Sequence, residues 1–444
     1  MANRPVTFLI RRKELVSSKS NLLSCLLAAL ALQSGTAQAQ SSILDSVEEI
    51  HAQEVIQAAF ESIESMNELN IQRLIEITEI PAPPFQESVR AADFVRRLQA
   101  AGLDDAYIDE VGNVIARRPG RSRTKTVAFV AHIDTVFPAE MKIKVRREGN
   151  KYFAPGIGDN TRGLVSMLSL IDVMEKHGIE TRDDILFVGS VGEEGLGDLR
   201  GVRHLFGDKG VEIDSFIAMD GGSSDRLVTD AVGSNRYRVE FHGPGGHSYG
   251  AFGRAHPHQA LANAIARFTE RATPLTIDGA KATFSVGRIG GGTSINSIPF
   301  SSWMEVDMRS VDPEKVAALD KELRAAVQHA LVVENERRSE GGPLTVSIDS
   351  VGARPAGIGD RESTLTQNAT SALRAIGVEP NLVASSTDSN IPISLGIPAV
   401  TISRGGKSRD AHAPDESWED IDSHLAIQAA LLLLTAEAGM LSKD

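Results

Sequence analysis

The chain has 444 residues, of which 41% are hydrophobic and 24% charged, so it can form a sizeable core and is too apolar for wholesale disorder. Its formal net charge of -13 argues against a nucleic-acid partner, because an acidic protein repels the phosphate backbone. The single cysteine, Cys25, excludes a disulfide framework and a cysteine-ligated metal site. Any bound metal must therefore be held by His, Asp and Glu side chains.

The first 39 residues have the pattern of an export signal. A basic start is followed by an apolar run over 22–32, which has signal-peptide length and is too short to span a bilayer. Residues 37–39 (Ala-Gln-Ala) form a small-x-small cleavage pattern, with Gln40 as the mature start. We therefore predict a signal peptide over 1–39 and an exported, periplasmic or secreted protein without stable membrane contact. The alternative is a frayed N-terminal helix.

The region after this signal alternates between helical and strand patterns. Apolar positions at helical spacing predict helices over 44–65, 70–80, 88–101 and 161–177. Continuous apolar runs predict strands buried on both faces over 126–131, 184–191 and 215–219. Strands that alternate with helices indicate an α/β layered domain.

The pattern changes in the middle of the chain. Four segments alternate between polar and apolar residues, and two helical segments separate them, in the order β-α-β-β-α-β. That order is typical of a small open-faced sandwich with one exposed sheet face. The α/β character returns after Pro355. We therefore predict a catalytic domain in two parts, 40–234 and 355–444, interrupted by an inserted domain over 235–354.

Acidic and histidine side chains follow the predicted buried strands, at the point where each strand ends. His132 and Asp134 follow the first strand, the pair Glu193-Glu194 follows the second, and Asp220 follows the third. Ligands of open α/β sheets bind at the carboxyl ends of the strands, so these side chains are expected to meet. Two acids directly after a buried strand are costly without a cation. One can bind metal while the other takes a proton from water.

Each of these motifs has an ordinary explanation when it is taken alone. Asp159 in a Gly-Asp-Asn segment could be a helix N-cap, Asp220 could lie in a plain turn, and His412 could be a surface-loop histidine. Taken together, they offer only imidazole and carboxylate ligands. That donor set suits zinc or another divalent first-row ion.

Eight ordered motifs resemble the M20 family of metallopeptidases, which includes carboxypeptidases, aminotripeptidases and acyl-amino-acid deacylases. They are AHIDT (131–135), GIGDN (156–160), GEEG (192–195), MDGG (219–222), GPGGHSY (243–249), GGTSINSIP (291–299), VDMRS (306–310) and DAHAPDE (410–416). The stretches GEEGLGDLRG and GGHSYGAFG are most similar to a peptidase-T-like branch. The resemblance implies an α/β, zinc-exopeptidase-like catalytic domain with an inserted α+β, ferredoxin-like dimerisation or lid domain.

The resemblance also implies a two-metal centre. The ions would be Zn²⁺, with Co²⁺ or Mn²⁺ as alternatives, and the Asp159 carboxylate would bridge them. The peptide bond between Asp159 and Asn160 would be cis. Glu193 matches the general base, and Asp134 matches the carboxylate that orients a histidine ligand. The metal ligands implied are His132, Asp159, Glu194, Asp220 and His412.

Further residues of the inserted domain and a glycine loop match substrate-contacting positions. His247 of a dimer partner would donate a hydrogen bond to the tetrahedral oxyanion. Asn296 and Arg309 match positions that hold a substrate carboxylate, although a structural ion pair is the alternative for Arg309. Gly405 matches a loop that approaches the substrate. His256 and His258 are interpreted as structural.

The leading hypothesis is an exported, dinuclear exopeptidase that acts on short peptides as a homodimer. An N-acyl-amino-acid amidohydrolase with the same metals is the alternative, and it would take an acyl-amino-acid substrate. A third hypothesis is a catalytically inactive binding protein on the same scaffold. That hypothesis predicts a broken ligand set or a missing base, whereas every implied position is filled in this sequence.

Overall fold

A computed structural model describes residues 43, 44 and 46–442 of the chain. The predicted signal peptide, its cleavage site and Cys25 lie outside these residues. In the described part of the chain, no helix is long and apolar enough to cross a membrane.

The continuous apolar runs form the centre of a nine-stranded mixed sheet. Strands Thr126–His132 and Asp184–Ser190 are buried at every position. They run parallel to each other and to the strands Ser215–Met219 and Ala399–Ile402, so four carboxyl ends lie at one edge. Strand Asn381–Ser385 pairs in parallel with Arg226–Ala231 at one side. The order across the sheet is Gly357–Ile358, Arg226–Ala231, Ala399–Ile402, Ser215–Met219, Thr126–His132, Asp184–Ser190, Val114–Arg118, Tyr107–Ile108.

Two apolar cores flank this sheet, because alternate residues of a strand face opposite sides. Val127 and Phe129 belong to the larger core, whereas Ala128 and Val130 belong to the smaller one. The helical lead-in predicted over 44–65 is two helices that break at Ala52 and Gln53. The α-helices of this domain are Val47–His51, Glu54–Ser65, Asn67–Thr78, Ser88–Ala100, Gly163–Lys176, Arg200–Leu205, Thr364–Ala375, Asn390–Ser394 and His424–Glu437.

The inserted segment forms a separate antiparallel sheet of four strands. Their order is Ala282–Gly291, Ser301–Ser310, Gly233–His242, Thr345–Arg354. The helices Pro257–Ala272 and Pro313–Arg337 pack on one face of this sheet around a third apolar core. This is the ferredoxin-like α+β arrangement, so the predicted fold class, a mixed α/β protein with an inserted α+β domain, is confirmed.

Short strands complete the structure. Arg146–Glu148, Lys151–Phe153, Ser417–Glu419 and Lys407–Arg409 form a small antiparallel sheet. Gly246–His247 pairs with Ser297–Ile298 in what we call the two-stranded ladder, and Ile43–Leu44 pairs with Met440–Leu441. The helix predicted over 161–177 begins only at Gly163. It is preceded by the wide turn Ile157–Arg162, in which Asp159 and Asn160 have non-helical backbone angles and are joined by a cis peptide bond.

Candidate metal and active site

The carboxyl edge of the nine-stranded sheet brings the predicted metal ligands together. His132 ends one strand, Glu194 and Asp220 follow two others, Asp159 lies in the wide turn, and His412 comes from a loop near the C-terminus. Donor atoms of His132, Asp159 and Asp220 all lie within 4.8 Å of one another. Donor atoms of Asp159, Glu194 and His412 form a second such group. Asp159 therefore belongs to both groups.

The two oxygens of Asp159 face different histidines. Its Oδ1 lies 3.1 Å from His132 Nε2, and its Oδ2 lies 3.4 Å from His412 Nε2. His412 Nε2 also lies 3.0 Å from Glu194 Oε1. A carboxylate that presents one oxygen to each of two imidazole–carboxylate groups has the geometry of a bridging ligand. The residues present therefore fit a divalent metal ion that takes imidazole and carboxylate ligands.

Negative charge dominates this group of ligands. Burial alone would raise the pKa of Asp159, but Arg404, His132 and His412 outweigh it and hold that pKa well below its usual range. Hydrogen bonds with Asp159 and Glu194 raise the pKa of His412 to about 10. The surrounding carboxylates thus favour a proton on His412, and a divalent ion would compete with this proton for Nε2.

Arg404 is a buried cation in this centre that the sequence did not point to. It follows the strand Ala399–Ile402, and its side chain is only 3% exposed. Its Nη1 donates to Asp159 Oδ1 at 2.9 Å and to Asp220 Oδ1 at 2.8 Å. The guanidinium therefore links the carboxylate of Asp159 to the carboxylate of Asp220, which is also a predicted ligand. A basic residue at the end of an apolar run was the available signal.

Glu193 is buried beside the ligands and held by a second arginine. Arg354 Nη1 donates to Glu193 Oε1 at 3.0 Å, and Arg354 Nη2 donates to the Glu193 carbonyl. Burial raises the pKa of Glu193 well above its usual range, although Arg354 opposes the shift. Arg354 ends the last strand of the inserted domain, so the two domains meet at this carboxylate. Sequence reasoning missed Arg354.

Asp134 contacts both His132 and the turn that carries the two glutamates. His132 Nδ1 donates to the main-chain carbonyl of Asp134 at 3.0 Å, while the Asp134 carboxylate lies farther away, at 3.7 Å. That carboxylate accepts the backbone N–H groups of Glu193 at 3.0 Å and Glu194 at 2.8 Å. The backbone of Asp134 thus orients the imidazole, and its side chain fixes the turn that carries both glutamates.

Glu416 positions the wide turn and was also missed. Its carboxylate accepts the backbone N–H groups of Gly156, Gly158 and Asp159 at 2.9–3.0 Å. The side chain has no exposure to solvent. Although it lies in the motif over 410–416, only His412 of that motif was singled out. The surrounding sequence is polar and gives no sign that this acid is buried.

A cavity of about 1110 Å³ opens over the ligands and is lined by both domains. Asp159, Glu193, Glu194, Asp220 and His412 line it from the catalytic domain. Arg236, Arg309 and Arg354 line it from the inserted domain. Arg309 Nε also donates to Asp307 at 2.7 Å, so this arginine both borders the cavity and forms the ion pair that was its alternative role.

Three predicted residues lie elsewhere. His247 and Asn296 are exposed on or beside the two-stranded ladder, outside the cavity. Beside the ladder, Ser248 N donates to the Asn296 carbonyl at 2.9 Å. Gly405 is buried behind the cavity, and its neighbours Arg404 and Gly406 line the wall instead. The Trp418 indole N–H donates to the Gly405 carbonyl at 2.9 Å. A contact between Gly405 and the substrate stays a prediction.

Known proteins resemble the chain in sequence and fold. The model of "Peptidase family M20/M25/M40" matches residues 128–438. The uncharacterized protein YqjE of Bacillus subtilis is 25% identical over 351 residues, which cover 76% of this chain and 90% of that protein. Aminopeptidase PepT of Bacillus cereus has a TM-score of 0.66 at 22% identity, covering 83% of this chain and 97% of its own. A Staphylococcus aureus tripeptidase has a TM-score of 0.69 at 21% identity, covering 83% and 98%.

Proposed function

Because the chain belongs to peptidase family M20/M25/M40 and is a metal-dependent hydrolase of peptide or amide bonds, we propose that it is an exported two-metal exopeptidase of short peptides. The observation that carries the metal count is Asp159, whose two oxygens face separate donor groups. Export rests on the sequence pattern of residues 1–39. A mature N-terminus at Gln40, found by sequencing the protein from the periplasm or medium, tests that part.

The donor groups divide the ligands between two ions. His132 and Asp220 would hold one ion, Glu194 and His412 would hold the other, and Asp159 would bind both. Zinc suits these donors best, and Co²⁺ or Mn²⁺ can use the same ligands. When bound, such ions polarise the scissile carbonyl and lower the pKa of a water molecule.

Glu193 is the proposed general base. Its carboxylate accepts the proton of the attacking water and passes it to the leaving amine. The raised pKa supports this role, since the carboxylate gains a proton readily in its buried setting. Arg354 holds the carboxylate in place through Oε1 and leaves Oε2 for the water.

His247 has the protonation pattern of an oxyanion donor. Its Nδ1 accepts the backbone N–H groups of Tyr249 and Gly250, both at 3.2 Å. A neutral imidazole that accepts at Nδ1 carries its proton on Nε2. Nε2 is therefore a hydrogen-bond donor on an exposed loop, which suits the stabilisation of a developing oxyanion.

Because His247 lies outside its own chain's cavity, we propose that a partner subunit supplies it in a homodimer. Tyr249, Phe252 and Ile295 surround the two-stranded ladder with exposures of 90%, 85% and 104%. A group of exposed large apolar side chains is typical of an interaction surface. Docking of this surface near a second copy's cavity would complete each site.

The test combines substrate profiling with metal analysis. The zinc-loaded enzyme should release free amino acids from dipeptides or tripeptides, whereas the deacylase alternative predicts release of an acyl acid from N-acyl-amino acids. Glu193→Gln should lower kcat by about 10²–10⁴-fold because the proton acceptor is lost. Its zinc content should equal that of the wild type.

Two results would contradict the proposal. Full activity of metal-loaded Glu193→Gln would remove the general base from the mechanism. A wild-type protein that binds metal but hydrolyses neither peptides nor acyl-amino acids would support the inactive binding protein instead.

A further inference from the structure

Seven arginine and lysine side chains line the cavity, together with six aspartate and glutamate side chains, although the chain as a whole is acidic. The formal net charge is -13, yet arginine and lysine side chains border the cavity on both domains. Arg354 and Arg404 are already paired with the carboxylates of the centre, as described above. The remaining basic side chains fall into two groups on different domains.

The first group belongs to the inserted domain. Arg236 and Arg309 lie on neighbouring strands of its sheet and share one carboxylate, that of Asp307, at 2.9 and 2.7 Å. Two guanidinium groups thus have a single negative partner. This group keeps one net positive charge for a substrate carboxylate.

The second group belongs to the catalytic domain and consists of Arg226, Lys407 and Arg409. Within the residues that the structure describes, no carboxylate forms an ion pair with any of these three side chains. Arg226 Nε is buried and has no hydrogen-bond partner. Arg226 is therefore a half-buried cation without an anionic partner in the described part of the chain, and Lys407 and Arg409 are solvent-exposed cations in the same wall.

The backbone explains why these three cations face the cavity together. Arg226 starts a strand, and its guanidinium lies against Gly221, directly after the predicted ligand Asp220. Lys407 and Arg409 lie on the same face of their short strand, because side chains alternate along a strand. Ser408 between them lies against Gly222, which brings this strand next to the Asp220 loop.

We propose that Arg226, Lys407 and Arg409 form an anion subsite, so that preferred substrates carry two carboxylates near the scissile amide. Peptides or acylated derivatives of glutamate or aspartate have this chemistry. The inference rests on the proposed function and specifies its substrate class. A guanidinium binds a carboxylate through paired, charge-assisted hydrogen bonds, and the substrate anion would compensate cations that the protein leaves unpaired.

Matched substrates measure this preference. Ala-Glu and Ala-Gln have nearly the same shape and differ in charge, and N-acetyl-Glu and N-acetyl-Gln repeat the comparison for an acyl substrate. The zinc-loaded wild type should show a kcat/KM about tenfold or more higher for the acidic member of the pair that it cleaves.

Substitutions assign that preference to the subsite. Arg226→Gln, Lys407→Gln and Arg409→Gln should each lower the acidic-to-neutral ratio of kcat/KM, because each removes one charge from the group. Lys209→Gln and Arg96→Gln remove exposed charges away from the cavity and should leave the ratio at its wild-type value. Melting temperatures show whether each variant is folded.

Failure of the subsite and failure of the proposed function give different results. Equal kcat/KM for Ala-Glu and Ala-Gln, or an unchanged ratio in all three cavity variants, overturns the subsite while peptide hydrolysis stands. If no substrate is cleaved, calorimetric binding of glutamate and glutamine to the zinc-loaded protein still tests the subsite. Glutamate should then bind about tenfold more tightly, and equal affinities overturn the inference.

Discussion

The carboxyl edge of the nine-stranded sheet and the two-stranded ladder of the inserted domain both carry predicted functional residues, but they are built in opposite ways. At the sheet edge, each predicted ligand contacts another ligand or a buried arginine. At the ladder, His247 and Asn296 contact backbone and side-chain groups of the two loops beside it, and both side chains are exposed. The sheet edge obtains all its predicted ligands from one chain. The ladder, in contrast, can take part in catalysis under the proposed mechanism only if it approaches the cavity of a second copy.

The largest expected effect is at the shared ligand of the sheet edge. Asp159→Asn keeps the size of the side chain and removes its charge, so we expect loss of both zinc ions and a fall in kcat/KM of at least about 10³-fold. Asp220→Asn, the matched control, should mainly lose one ion. Elemental analysis after gel filtration measures both. Two retained ions in Asp159→Asn would show that this carboxylate is not shared.

The next largest effect should come from the ladder. His247→Ala should lower kcat by about 10²–10³-fold, because the oxyanion loses a hydrogen-bond donor, while the zinc content stays unchanged. Steady-state kinetics and elemental analysis measure the two quantities.

A mixed dimer distinguishes a partner's histidine from the chain's own. His247→Ala and Glu193→Gln subunits, co-expressed, should form one active site from the intact Glu193 of one chain and the intact His247 of the other. Activity well above that of either variant is the expected result. A monomer by light scattering, or mixed dimers without recovered activity, would place His247 outside the mechanism that we propose.

The smallest expected effect is on stability and not on activity, and it comes from a residue at the end of the same sheet that lies opposite the site. Asp183 lies at the opposite end of a central strand and accepts hydrogen bonds from Thr124 and Arg182. Burial alone would raise its pKa, but these bonds outweigh it and lower the pKa below the usual value. Ionised Asp183 therefore stabilises the fold above its unfolded pKa of about 3.9, and this contribution is lost as the pH falls through the lower folded pKa.

Asp183→Asn should accordingly reduce the free energy of unfolding at pH 7 by on the order of 1–3 kcal/mol. The difference from the wild type should shrink below about pH 4, while kcat/KM at neutral pH is kept. Urea unfolding at several pH values measures the difference in the free energy of unfolding. Asp105→Asn, at an exposed position, is the control and should change stability by less than about 0.5 kcal/mol. A difference that grows in acid would contradict the assignment.

The fold was predictable where burial and periodicity act locally. Continuous apolar runs predicted the central strands, and the acids at their ends predicted which edge holds the ligands. Strand Val114–Arg118 was missed because two of its five residues are charged. In the structure, Arg117 and Arg118 are compensated by Asp184 and Glu175, which lie far along the chain.

The missed site residues share one physical cause. Arg404, Arg354 and Glu416 act through partners that are 161–260 residues away in sequence, so no local pattern shows which side chains they contact. The Gly405 motif shows that its loop approaches the cavity, but it does not show which residues of the loop line the cavity, and these are Arg404 and Gly406. Sequence spacing predicts the strand ends well, and it cannot predict the cations that join them.

Arg404 also bears on the order in which this centre is assembled. Many zinc sites cannot form until the ion arrives, because their ligands repel one another and binding energy is folding energy. Here a permanently charged guanidinium already lies between Asp159 and Asp220 and offsets their repulsion. We therefore expect the chain to complete its fold first and to acquire metal afterwards, as an independent step.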